Sequence, residues 1–268
     1  QVKADGNGVS SAPGTTFIGM FPKGGLSFNF TGGINNRNLQ VNYVNFFQKS
    51  GNLTVAGANS PLTVSANGDY SVLNISAYPI NFNNKTVTIQ ARGTVSHLVQ
   101  IGYSGSYSGV TGLQFTGTGN VAIDANATTG TGGDVSIFSD KFTFNSPTIT
   151  LSANGPTSGN GNGGTVYFSS SALTLSSSST LTVTANASSV GTGNAVLGDV
   201  TMNVPKAIQF YPGSVGLNIG TATGVGQVSF SAKGGSAGGN GGTILVSSSP
   251  VNIKTANALN ASALAGNG

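Results

Sequence analysis

A short apolar-alternating strand closing on alanine returns along this chain every thirty-odd residues, with glycine-rich turns between the copies. The copies read LTVA (Leu53 to Ala56), TVTIQA (Thr86 to Ala91), VAIDA (Val121 to Ala125), TITLSA (Thr148 to Ala153) and LTVTA (Leu181 to Ala185), with a worn sixth, VGLNIG (Val215 to Gly220). Their closing residues stand 35, 34, 28, 32 and 35 positions apart. A period of that size marks a solenoid, in which each repeat buries its apolar face only by stacking on its neighbours.

Two further strands fit within each period. One comes before the alanine-closing strand: INF (Ile80 to Phe82), LQF (Leu113 to Phe115), FTF (Phe142 to Phe144), LTL (Leu173 to Leu175), IQF (Ile208 to Phe210) and VNI (Val251 to Ile253). The other follows a glycine bend: GGDVSIF (Gly132 to Phe138), GGTVYF (Gly163 to Phe168), GDVTM (Gly198 to Met202), GQVSF (Gly226 to Phe230) and GGTILV (Gly241 to Val246). Their period-2 pattern puts alternate side chains on opposite faces. The paired glycines suit a sharp turn needing positive φ. Three strands with two tight corners and one variable loop predict an all-β parallel β-helix of about seven to eight turns, a rod about 35 to 40 Å long.

The predicted core ladder runs through Val87 and Ile89, Val121 and Ile123, Ile149 and Leu151, Leu181 and Val183, then Leu217 and Ile219. Rungs lie about 4.8 Å apart. Each fully buried aliphatic side chain contributes about 1.5 to 3 kcal/mol. That is how a chain with 42 Gly and no Cys is expected to fold. The absence of Glu and of amphipathic Ala/Leu/Lys runs argues against helices. The glycines keep no three-residue period, which excludes collagen.

Residues 1 to 50 fit the repeat poorly and are read as a divergent, aromatic-rich cap or inter-subunit arm, with repeats over 51 to 268. Phe17, Met20, Phe21, Phe28 and Phe30 are the candidate self-association residues. Either they cover the chain's own end, or they pack onto the next subunit. The last segment, ALNASALAGNG, reads as a repeat's loop standing just before a glycine-bend strand. A first residue Gln1 rather than Met points to removal of something upstream.

The phrases GNGNGGTVYFSSSALTLSSSSTLTVTANASSVGTGNA (Gly159 to Ala195) and GGNGGTILVSSSPVNI (Gly238 to Ile253) resemble the repeats of filamentous-haemagglutinin-like large exoproteins and related autotransported adhesins. The resemblance covers Val121 to Gly268 best. It implies a right-handed parallel β-helix exported to the bacterial surface, with roles in adhesion, matrix or biofilm. Architecture is what it specifies, since fold does not dictate activity.

Enzymatic chemistry finds little to work with. Glycoside hydrolysis needs two carboxylates about 5 to 9.5 Å apart. The chain has six acids: Asp5, Asp69, Asp124, Asp134, Asp140 and Asp199. On adjacent turns the counterparts of Asp134 are Thr165 and Thr243, so no acid pair forms there. His97 is the one histidine, on a strand-like TVSHLVQI. A catalytic triad needs a positioned acid beside such a base. GGNGGTILV matches a calcium-binding nonapeptide only superficially, because Thr243 holds the ligand position. Catalytic residues, metal ligands and cofactors are therefore expected to be none. A net charge of +4 without a basic run excludes nucleic acid as a partner, and no apolar stretch reaches 18 residues, so no membrane span is expected.

Threonines recur outward on the alanine-closing strands, at Thr86, Thr88, Thr148, Thr150, Thr180, Thr182 and Thr184, a pattern that β propensity on a solvated strand explains. Seven glycosylation triplets, at Asn29, Asn52, Asn74, Asn84, Asn126, Asn186 and Asn260, match what this Asn, Ser and Thr content yields by chance. The expected function is a secreted, cell-surface-associated, non-enzymatic subunit of an extracellular bacterial filament or adhesin. Its expected partners are copies of itself and surface glycans. The alternatives are a monomeric carbohydrate-binding adhesin stalk and a β-helix polysaccharide lyase or hydrolase, the latter resting on Asp134 or Asp124.

Overall fold

In the computed structural model the chain is described as the backbone of 23 strands. Side chains are described at residues 62–63, 73, 81–82, 86–93, 97–101, 114–138, 144, 147–169, 179–188, 191, 226–245 and 259–265. Strands are numbered β1 to β23 in chain order. The first sheet takes β1 (Lys3–Ala4), β4 (Arg37–Val41), β7 (Leu62–Asn67), β10 (Val87–Arg92), β13 (Val121–Asp124), β15 (Thr148–Ser152), β17 (Thr180–Thr184), β20 (Gln227–Ser231) and β23 (Leu259–Ser262). Every neighbouring pair in it is parallel.

The second sheet is built from two rows. One contains β2 (Thr15–Met20), β5 (Tyr43–Gln48), β8 (Tyr70–Ser76), β11 (Ser96–Ile101), the first halves of β14 (Asp134–Phe144) and β16 (Thr165–Leu175), then β18 (Ala207–Tyr211) and β21 (Thr243–Val246). The other contains β3 (Leu26–Asn29), β6 (Leu53–Gly57), β9 (Ile80–Asn84), β12 (Gly112–Phe115) and the second halves of β14 and β16. β19 (Leu217–Ile219) and β22 (Val251–Ile253) pair with each other. Strands next to each other in the first sheet are separated in the chain by strands of the other rows. The result is an all-β parallel solenoid.

Alternation produces the interior. Along β10 buried and half-buried residues alternate strictly, as period 2 requires. Val87, Val121, Ile149, Leu181 and Val228 are successive register partners and all are buried. Ile89, Ile123, Leu151, Val183 and Phe230 form the adjoining column. On the third row the rings of Phe82, Phe115 and Phe144 stack, with centroids 5.2 and 4.8 Å apart and planes within 18° and 4°. Parallel offset stacking at that spacing adds to simple area burial.

The closing alanines, Ala91, Ala125, Ala153, Ala185 and Ala232, are fully buried, and glycine doublets pack against the last four of them. The second glycine of a doublet donates to the alanine carbonyl of its own turn: Gly133 N to Ala125 O at 2.8 Å, Gly164 N to Ala153 O at 2.6 Å, Gly242 N to Ala232 O at 2.8 Å. The first glycine presses on the alanine carbonyl of the next turn. A Cβ on Gly132, Gly163 or Gly241 would lie 2.4, 2.1 or 2.1 Å from Ala153, Ala185 or Ala263 O respectively. Close backbone approach, rather than the expected positive φ, is what demands glycine here. Among the described residues positive φ falls at Gly130, Gly159 and Gly238 instead, in the loops ahead of the doublets.

Several strands join rows other than those expected. LTVA belongs to β6, which pairs with β3 and β9; the first-sheet copy is Leu62–Asn67, with Leu62 opposite Val87 and Ala66 opposite Ala91. Leu217 and Ile219 do not extend the core ladder, because β19 pairs with Val251 and Ile253. Their places go to Val228 and Phe230 of the expected glycine-bend strand GQVSF. IQF lies in β18, in the glycine-bend row, opposite Val166 to Phe168. Within ALNASALAGNG, Leu259–Ser262 is a first-sheet strand opposite β20. GDVTM lies outside the described residues. The physical reason is loop length. Successive first-sheet strands are 25 residues apart between Leu62 and Val87, and 47 apart between Asn186 and Lys233. A fixed period therefore lands on the wrong segment at both places.

Candidate functional site

The residue after each closing alanine forms a column on the edge of the first sheet: Arg92, Asn126, Asn154, Asn186 and Lys233. In three of these rungs the side chain is an asparagine that ties its rung to the next. Asn154 N donates to Asn126 Oδ1 at 2.7 Å, Asn186 N to Asn154 Oδ1 at 2.9 Å, and Lys233 N to Asn186 Oδ1 at 2.8 Å. The amide nitrogens reach the neighbouring hydroxyl column, Asn126 Nδ2 to Ser152 Oγ at 3.0 Å and Asn154 Nδ2 to Thr184 Oγ1 at 2.9 Å. Ser231 Oγ donates to Asn186 Oδ1 at 2.7 Å. The sequence reading did not identify this ladder. Its signal was the Ala-Asn pair repeated at Ala125, Ala153 and Ala185.

Where the column holds Arg92 instead, a charged corner takes over. Arg92 Nη2 lies 3.0 Å from Asp124 Oδ1 and donates to Oδ2 at 3.2 Å, while Nε reaches Gln90 Oε1 at 3.3 Å. The Asp124 carboxylate is buried and the Arg92 side chain is 38% exposed. Burial raises the Asp124 pKa above its usual value, while the Arg92 charge and the Asn126 N–H pull it back. The carboxylate thus serves the Asn126 N–H, whose preceding rung has no asparagine to offer.

His97 is buried on the interior side of β11, and neither ring nitrogen makes a well-formed hydrogen bond among the described residues. Desolvation lowers its pKa; the Ala125 backbone opposes this and Arg92 adds to it. The ring lies against Gly133, where a Cβ would fall 2.5 Å from His97 Cδ2. His97 is thus enclosed with the interior residues of its strand.

Asp134 is half-buried, and its register partners are Leu98 and Thr165, so no second acid stands beside it there. The side chains of Asp5, Asp69, Asp140 and Asp199 lie outside the described residues, as do those of Phe17, Met20, Phe21, Phe28 and Phe30. Strands β2 and β3, which include Phe17, Met20 and Phe28, pair in parallel with β5 and β6. Among the described residues no group of three His, Cys, Asp or Glu lies together, and no helix is long and apolar enough to cross a membrane.

The outer faces differ. On the first sheet, Thr148, Thr150, Thr180, Thr182 and Ser229 are half-buried and polar. On the second row, Phe138 and Tyr167 meet outside the core, with centroids 4.9 Å apart and planes at 36°. No family model, curated protein or solved structure matches the chain.

Proposed function

We propose that the chain is a non-enzymatic structural subunit of an extracellular bacterial filament or surface adhesin, joined end to end to copies of itself. The observation that supports this most is the unbroken parallel run of nine strands in the first sheet. Each rung binds the next by backbone hydrogen bonds and like-on-like side-chain columns, so a rung of another copy is bound by the same interactions. The finer form of this reading is a right-handed coil of seven to eight turns, of the filamentous-haemagglutinin-like kind, secreted to the cell surface. In it residues 1 to 50 act as cap or arm, and Phe17, Met20, Phe21, Phe28 and Phe30 seal the joint.

Deleting residues 1 to 31 and viewing the secreted material by electron microscopy tests the proposal. Folded rods that no longer polymerise are expected; unchanged fibres overturn it. The second reading is a monomeric carbohydrate-binding stalk, favoured by the half-exposed aromatic pair. Sedimentation separates the two, because a stalk stays monomeric at high concentration.

A further inference from the structure

We propose that Asn154 is a latent site of spontaneous modification, a deamidation that the fold holds shut and that opening of its rung releases. Asn154 is followed by Gly155. In an Asn-Gly pair the following amide carries no side chain to obstruct its turn toward the asparagine carboxamide. The Gly155 nitrogen attacks Cγ of Asn154, the bond from Cγ to Nδ2 breaks, and ammonia leaves a five-membered succinimide behind. Water then opens that ring to aspartate, or to isoaspartate, in which the main chain runs through the side-chain carbonyl. Water is the sole co-reactant.

The first reason is that every reacting group is tied. Asn154 Oδ1 accepts from Asn186 N at 2.9 Å, and Nδ2 donates to Thr184 Oγ1 at 2.9 Å. Asn154 N donates to Asn126 Oδ1 at 2.7 Å, and its carbonyl accepts from Ala127 N at 2.9 Å. The nucleophile is tied as well, because Gly155 N donates to Asn186 O at 2.8 Å. The carboxamide and the attacking nitrogen thus both bond to the rung of Thr184 and Asn186. One event, separation of those two rungs, frees them together. Folded chains open locally in this way without unfolding as a whole.

The second reason is space. Gly155 is buried, and a Cβ there would lie 2.8 Å from Asn162 O and 2.9 Å from Ser188 N. The backbone has no room to swing onto its own side chain while those neighbours are in place. The same crowding separates the two products. Aspartate keeps an oxygen for Asn186 N, whereas isoaspartate adds an atom to the main chain where none fits. A rung that opens long enough to form isoaspartate therefore does not close again in register.

The third reason is selectivity within the column. Asn126 and Asn186 stand in the same ladder but are followed by Ala127 and Ala187, whose β-carbons hinder ring closure. The site is independent of end-to-end association and of the fibres that would report it.

The test is peptide mass spectrometry of the full chain aged in mildly alkaline buffer, with a second sample aged in urea. Asn154 is expected to convert to aspartate and isoaspartate at least about tenfold more slowly in the folded chain than in urea. In urea it is expected to convert faster than Asn126 and Asn186. Thr184→Val frees Nδ2 and leaves the other bonds in place. It is expected to speed conversion in the folded chain about two- to tenfold, together with faster hydrogen exchange of the Gly155 amide. The comparison of buffer with urea uses the native chain, so it stands should the valine variant fail to fold. Equal rates in buffer and urea overturn the proposal, as does absent conversion in urea. A valine variant whose Gly155 amide exchanges faster while Asn154 converts at the native rate overturns it too.

Discussion

Replacing Asn154 by alanine removes the central link of the asparagine column, and the structure sets the size of the loss. Asn154 Oδ1 is the acceptor for Asn186 N at 2.9 Å, and its Nδ2 donates to Thr184 Oγ1 at 2.9 Å. A backbone donor left without a partner in a partly buried site costs about 1 to 3 kcal/mol. The half-exposed Thr184 hydroxyl regains water, so its lost bond costs the smaller net value of about 0.5 to 1.5 kcal/mol. The sum is about 1.5 to 4.5 kcal/mol, against about 0.5 kcal/mol for an ordinary surface substitution. Stacked repeats need not unfold as one unit, so the local measurement is hydrogen exchange of the Asn186 amide. Exchange faster by about tenfold or more is expected, with little change at Ile89, whose rung lies beyond the link. Asn154→Asp keeps an acceptor for Asn186 N, and the Thr184 hydroxyl rotates to donate to it, so its effect is expected to be smaller than that of alanine. Equal exchange in the native chain and the alanine variant refutes the ladder argument. Equal effects of alanine and aspartate refute the role given to Oδ1.

Two further predictions follow from the corners. Gly163→Asn is expected to destabilise by about 1 to 3 kcal/mol, because its Cβ would meet the Ala185 carbonyl at 2.1 Å and backbone cannot yield. Gly159→Asn is expected to be nearly neutral, since φ is +76° there, asparagine tolerates that region, and nothing lies within 4 Å; chemical denaturation of both variants checks the contrast. His97, whose folded pKa lies below its ordinary 6.5, contributes stability that is fully present above that value and is lost as pH falls through 6.5 toward the folded value. Asp124 has the opposite sign, its contribution being present below 3.8 and lost as pH rises through its raised folded value. Melting temperature measured from pH 7.5 to 5 is therefore expected to fall for the native chain and to flatten in His97→Leu. A parallel fall in the variant would show that another group governs the window.

Much of the interior was legible from alternation. Thr148–Ser152 and Thr180–Thr184 have one apolar residue at every second position, and only one face of a pleated strand satisfies that pattern. The charged corner was not legible, because Arg92 and Asp124 are 32 positions apart and meet only when adjacent rungs align. The Phe138–Tyr167 pair was hidden for the same reason. Both residues sit in strands recognised from their glycine doublets, yet their contact runs diagonally between turns.

By itself the sequence determined the class of structure: parallel strands, apolar columns inside, and glycine doublets at the corners. Only the tertiary structure decided which short strand joins which row. LTVA reads as the alanine-closing strand where Leu62–Asn67 takes that place, and Leu217–Ile219 reads into the ladder where Val228–Phe230 stands. Local alternation says which side chains face inward but carries no information about the neighbour. That choice is made by nonlocal hydrogen bonding and by whether the loop between rungs is long enough to let the next segment fall into register.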